Sequence, residues 1–235
     1  MKKHNPKIGI VSGIGPLAGS DVFAKLLKYA ADTYDAVEDS EYPDVVLVNH
    51  GIEGVDNIGT LNPQFEADIV AMVKQLEQNG ANVIGMACNT AHIYLSKIKT
   101  NSSTTLVNLI DEVAKEASKA NTTYLLLTSS TSKKQSLYQS YLKKYKVAFQ
   151  VTNSEQQKLL DEAIGLVMAY KLKEAGRLLA KVLKSAKNTG FDAVIAGCTE
   201  LPIAIDNTKN TDGLTIVSSN EVLAKTLAAH YYHQH

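Results

Sequence analysis

Two stretches of this chain run from apolar residues onto a cysteine and then onto amide, hydroxyl or carboxyl side chains. They are Val83-Ile84-Gly85-Met86-Ala87-Cys88-Asn89-Thr90 and Val194-Ile195-Ala196-Gly197-Cys198-Thr199-Glu200. Each is preceded by an Asn-Gly or Thr-Gly pair, Asn79-Gly80 and Thr189-Gly190, of the kind that ends a helix. A thiol has an unperturbed pKa near 8.5, so a modest change of surroundings lets it take or give a proton close to neutral pH. Two thiols in matched settings therefore suit chemistry in which one group removes a proton and the other returns it. A buried cysteine is more often an inert small hydrophobe, but the repetition of the whole context argues against that for this pair. No Cys-x-x-Cys redox pair occurs, and the histidines show no spacing that would complete a zinc site, so no metal is expected.

The elements that must position these residues follow from the hydrophobic pattern. Short apolar runs at Ile8–Val11, Val45–Val48, Val83–Met86, Tyr124–Leu127, Val147–Val151, Val194–Ala196 and Thr215–Val217 read as strands. Most are continuously apolar, as parallel strands covered on both faces should be. Between them lie stretches of helical period at Ser20–Tyr34, Phe65–Gln78, Leu106–Lys119, Lys134–Lys144, Ser154–Lys187 with a break near Tyr170, and Asn220–Tyr231. The alternation predicts an α/β protein of two similar lobes, each a mostly parallel sheet flanked by helices and each donating one cysteine. Residues 1–107 with 212–235 are expected to form the lobe holding Cys88, and 108–211 the lobe holding Cys198. A cysteine just past the carboxyl end of a parallel strand sits where open α/β sheets place ligands.

The 24 basic and 24 acidic residues balance, so no net field favours nucleic acid or an anionic membrane. No apolar run approaches a membrane span, and the opening Met1-Lys2-Lys3-His4-Asn5-Pro6-Lys7 leads into a strand rather than a signal peptide. With two cysteines 110 positions apart, a reducing cytoplasmic setting and free thiols are expected. The histidines at 230, 233 and 235 read as a polar tail. Arg177 is the single arginine, so at most one bidentate carboxylate clamp can be built.

The glycine loop Ser12-Gly13-Ile14-Gly15-Pro16-Leu17, the run Cys88-Asn89-Thr90-Ala91-His92 and the run Gly197-Cys198-Thr199-Glu200-Leu201 resemble the aspartate/glutamate racemase superfamily, most closely its aspartate racemase branch. A dinucleotide loop is the competing reading of the first run, but its third glycine, Gly19, is misplaced and no acidic residue tips the second strand. The resemblance spans Ile8 to about Val217 and implies an interlobe active site with one cysteine on each face of a small amino-acid substrate. The sulfurs would then stand about 7–10 Å apart, two contact distances around one carbon. It also implies a homodimer and no cofactor. Catalysis falls to Cys88 and Cys198, and substrate contacts to Ser12, Gly13, Asn49, Asn89, Thr90, Thr131, Thr199 and Glu200. Asn89, Thr90 and Thr199 would hold the α-carboxylate, and Glu200 would bind the amino group or orient Cys198. Helix capping is the alternative role for Asn89, Thr90 and Thr199, and a first-turn partner of the helix dipole for Glu200. Thr128-Ser129-Ser130-Thr131 resembles the family's Thr-rich loop, and its hydroxyls would either join the carboxylate site or cap a helix starting near Lys133. His92, one turn from Cys88, is expected to be structural or solvent-facing rather than to tune the thiol.

The chain departs from the pattern after the second strand, where aspartate racemases carry a Pro-Asp-Arg run. Here the sequence reads Asn49-His50-Gly51-Ile52-Glu53-Gly54-Val55-Asp56-Asn57. The assisting lysine of the second lobe also has no direct counterpart, Lys171 falling about two positions away. Arg177 is expected to face solvent. Aspartate is thus the substrate the resemblance implies by default, with Lys171 or His50 as candidates for a rearranged side-chain clamp; the alternatives are a neutral or broader substrate, or a catalytically idle amino-acid-binding protein whose cleft survived loss of the arginine.

Overall fold

A computed structural model describes residues 6–52, 62–208 and 210–233; Met1–Asn5, Glu53–Asn57 of the departing stretch and His235 lie outside the described residues. The chain divides into two compact units, Met1–Leu109 with Asn220–His235, and Ile110–Ser219.

The first unit is built on four parallel strands, β1 (Lys7–Ser12), β2 (Val45–Asn49), β3 (Ala81–Met86) and β4 (Thr105–Leu106), in the order β2-β1-β3-β4. β1 is buried along nearly its whole length because neighbours pair with both its edges and helices cover its faces. The edge strand β2 is only half-buried. Helices α1 (Ala18–Tyr34), α2 (Phe65–Gln78) and α3 (Leu95–Thr100) connect these strands. In α2 the residues Ile69, Met72, Val73 and Leu76 recur at helical spacing and are all buried with Ile84, Met86 and Cys88 in one apolar cluster. Truncating a core position such as Leu76 to alanine costs about 2–5 kcal/mol by the usual cavity argument.

The second unit repeats the plan. Strands β5 (Thr123–Leu127), β6 (Ala148–Val151), β7 (Ala193–Ala196) and β8 (Thr215–Ser218) are all parallel, in the order β6-β5-β7-β8. Its helices are α4 (Leu109–Ala117), α5 (Ser130–Lys134), α6 (Gln139–Lys144), α7 (Ser154–Met168), α8 (Leu172–Asn188) and α9 (Glu200–Asp206). The break between α7 and α8 falls at Tyr170, which adopts a left-handed φ of 61°. α10 (Ser219–Tyr232) returns to the first unit, where Leu223 and Leu227 pack against Gly85 of β3. There Tyr232 stacks on Tyr34, ring centroids 4.1 Å apart.

Three expectations are corrected. The stretch 212–219 belongs with the second unit, because β8 pairs with β7. Leu106 is not the start of a helix but the end of the short strand β4, and the helix begins at Leu109. The helix expected over Lys134–Lys144 is two helices, interrupted where Ser136 takes a φ of 52°.

Candidate active site

In both sheets the chain winds one way from the first strand to its left-hand neighbour and the other way to its right-hand neighbour, so the order reverses between β1 and β3, and again between β5 and β7. Crevices at the carboxyl ends of such strand pairs are where open α/β sheets bind ligands. Cys88 and Cys198 each stand two residues beyond the strand that borders the reversal. The residue before each is tied to the neighbouring strand by the same bond: Ala87 N–H donates to Val11 O at 2.9 Å, and Gly197 N–H to Leu127 O at 2.8 Å. Both thiols are buried and neither is in a disulfide.

In the first unit, Ser12 ends β1 and donates its hydroxyl to Asn49 Oδ1 at 2.9 Å, linking the ends of β1 and β2. Gly13 follows with a φ of 90°, and a Cβ there would stand 2.0 Å from His50 O, so only glycine lets the loop turn this close to the neighbouring backbone. Ser12, Gly13, Asn49, Cys88, Asn89 and Thr90 are thus gathered on one edge of the sheet. Asn89 and Thr90 are buried. Asn89 occupies the N-cap of a 3-10 turn over Thr90–Tyr94 in helical geometry, and its side chain makes no capping bond.

His92 is structural. Its Nε2 accepts the Leu109 N–H at 3.2 Å, so the ring proton sits on Nδ1 and is donated to Cys88 O at 2.9 Å. The imidazole therefore fixes the backbone of Cys88 to the start of α4. Burial holds its pKa down at about 4, against 6.5 for a free histidine. Since the folded state resists protonating this ring, its contribution to stability is intact above pH 6.5 and is lost as pH falls toward 4. The loss amounts to about 3 kcal/mol at pH 4. Urea unfolding of the wild type and of His92→Gln should show it: the wild type loses that much more stability between pH 7 and 4. Identical pH dependence in the two proteins would refute the assignment.

In the second unit, Gly197 lets β7 pass against Tyr138 and Thr128; a Cβ there would meet the Tyr138 ring at 2.8 Å. Cys198 Sγ donates to Glu200 Oε2 at 3.0 Å, and Thr199 Oγ1 to the same oxygen at 3.3 Å. Thr199 is the N-cap of α9, again without a side-chain capping bond, and Glu200 opens the helix, buried. Burial raises the Glu200 pKa, while the bond from Cys198 opposes the rise. α7 and α8 pack against α9 and hold this turn in place.

The hydroxyl-rich segment after β5 caps a helix that starts at Ser130, not near Lys133: Ser129 accepts from Ser132 N–H. Ser130 donates through N–H and Oγ to Asp161 of α7 at 3.0 and 2.5 Å. Thr131 lies inside α5 and is buried. Lys171 is exposed at the N-cap of α8, and Arg177 faces solvent. Tyr138 was not signalled by the sequence. It is fully buried, its pKa pushed well up by that burial and secondarily by the charge of Cys198. No periodicity or motif marks it, because it lies in the turn between α5 and α6. Among the described residues no group of three or more His, Cys, Asp or Glu side chains could hold a metal ion.

Known proteins share this architecture. The aspartate racemase of Picrophilus torridus superposes with a TM-score of 0.80 at 28% identity, covering 94% of this chain and 92% of that one. An aspartate racemase homologue from Pyrococcus horikoshii superposes at 0.74 with 26% identity, covering 94% and 96%. A broad specificity amino-acid racemase of Bacillus subtilis is 23% identical over 224 residues, 95% of this chain and 97% of the relative. The profile of the Asp/Glu/Hydantoin racemase family matches residues 11–227, from the end of β1 into α10 and through both cysteine turns. The chain therefore belongs to the Asp/Glu/hydantoin racemase family.

Proposed function

We propose that this protein is a cofactor-independent amino-acid racemase in which Cys88 and Cys198 are the two proton-transfer groups. The observation that carries the reading is the equivalence of the two thiols, each two residues past the strand at the reversal point of its sheet. One thiolate removes the α-proton and becomes a thiol. The electron pair is held on the α-carbon and its carboxylate, and the other thiol protonates the opposite face. One thiol and one thiolate remain, with their roles exchanged, so the cycle runs in either direction without an oxidant or cofactor.

Asn89, Thr90 and Thr199, with Ser12, Gly13 and Thr131 and adjacent backbone N–H groups, are assigned to hold the carboxylate as charge develops on it, and Asn49 to contact the substrate side chain. Glu200 positions Cys198 and holds its proton. The enzyme is proposed to be a cytoplasmic homodimer. Aspartate is the reference substrate, in keeping with the Picrophilus torridus aspartate racemase, while the Bacillus subtilis relative, a broad specificity racemase, motivates a wider panel.

Chiral separation after incubation with single L-amino acids tests the reading. The expected result is D-enantiomer formed without added pyridoxal phosphate, undiminished by carbonyl-trapping reagents and abolished by iodoacetamide. Activity that survives complete alkylation of both thiols would overturn it.

A further inference from the structure

At the carboxyl-terminal edge of the first unit a cavity of about 600 Å³ opens beside the end of β2, lined by Asn49, His50, Ile52, Asn62, Gln64 and Asp68. None of these lining residues is a lysine or an arginine, and one of them, Asp68, is a carboxylate. Asp68 lies in the first turn of α2, its Oδ1 accepting from Gln64 Nε2 at 3.2 Å. Glu66 is directed elsewhere, to Lys97 at 2.9 Å. A carboxylate entering the cavity would meet the like charge of Asp68, with no lysine or arginine among the lining residues to offset its desolvation. An entering donor meets the Asp68 carboxylate.

The position of the cavity also sets a length. The order β2-β1-β3 puts Asn49 two strands from Cys88, with Ser12 between them. Two strand spacings are about 10 Å, and contact between a sulfur and an α-carbon takes up about 3.5 Å, leaving roughly 6 Å. That is the reach of a side chain four or five bonds long, beyond the three bonds that separate the α-carbon of aspartate from its carboxylate oxygens.

We propose that this cavity receives the distal end of the substrate side chain and selects a long side chain ending in hydrogen-bond donors, an ammonium, guanidinium or amide, over the carboxylate of aspartate. The inference rests on the racemase reading and narrows its substrate class.

Binding separates the two. Calorimetry with Cys198→Ala, which cannot turn substrate over, measures affinity for L-lysine, L-arginine, L-glutamine, L-aspartate and L-glutamate. At least one donor-ended amino acid should bind ten-fold or more tightly than aspartate, and adding Asp68→Lys should reverse that ratio by ten-fold or more. Circular dichroism confirms that the Asp68→Lys protein is folded. Tighter binding of aspartate, a ratio unmoved by Asp68→Lys, or no binding of any member overturns the proposal. So does aspartate binding that is lost in Lys171→Ala, since the clamp would then come from the second unit. The racemase reading fails separately if the wild type does not exchange the α-proton of the amino acid that binds.

Discussion

Replacing either Cys88 or Cys198 by alanine is expected to lower racemisation by about 10³-fold or more, since each substitution removes a proton-transfer group outright. The diagnostic result lies in what survives. A lone thiol still reaches one face of the α-carbon, where it can remove the proton, exchange it with solvent and return it without inversion. In deuterated water Cys88→Ala should therefore wash out the α-proton of one enantiomer and Cys198→Ala that of the other, observed by NMR as loss of the α-signal without formation of the mirror form. Neither thiol is in a disulfide, so the substitutions break no cross-link. Full racemisation in either variant, or exchange of both enantiomers by one of them, would falsify two-thiol catalysis.

The second large effect is expected at Glu200. Its carboxylate accepts the Cys198 proton at 3.0 Å, and an anion in that place disfavours a second anion on the sulfur. Glu200→Gln should reduce kcat/KM by about ten- to a hundred-fold, at the low end of effects on general acid–base groups. Because the equilibrium constant of a racemisation is one, kcat/KM must fall equally in both directions. The asymmetry then shows in kcat and KM taken singly, where the two enantiomers should no longer respond alike. Stability should move the other way. Burial raises the Glu200 pKa, so the unfolded chain ionises first as pH rises through 4.5, and the folded state bears the cost of the buried charge above that range. A variant less active yet more stable near pH 7 identifies a group retained for chemistry. Equal loss of activity and of Tm would reduce Glu200 to a packing residue.

The parts of the site legible in the sequence were those fixed by strand endings. An apolar run that stops at Met86 or Ala196 places the next two residues on the binding edge whatever surrounds them. Less was legible where the outcome turned on a single backbone angle or a short pairing. The left-handed Ser136 splits one helical pattern into α5 and α6, and nothing in Lys134–Lys144 announces it. β4 is two residues long, too short for any period, and its Leu106 fits a helical stripe equally well. Competition between capping and ligand binding at Asn89 and Thr199 was likewise undecidable from residue type, because a cap is defined by φ, ψ and a bond to the backbone.

The return of α10 to the first unit bears on the order in which the chain can fold during synthesis. Residues 110–219 are contiguous, so the second unit has all its strands as soon as β8 leaves the ribosome. The first unit emerges earlier but cannot close. Until α10 arrives, the face of β3 at Gly85 lacks Leu223 and Leu227, and Asp21 lacks the Asn220 amide that donates to it at 2.6 Å. The nascent first unit must therefore wait through more than a hundred residues of elongation with an apolar sheet face uncovered, the condition under which chaperones bind nascent chains and stalled chains aggregate. A chain truncated just before Asn220 and released from the ribosome should be protease-resistant in residues 110–219 and sensitive in the segment made first.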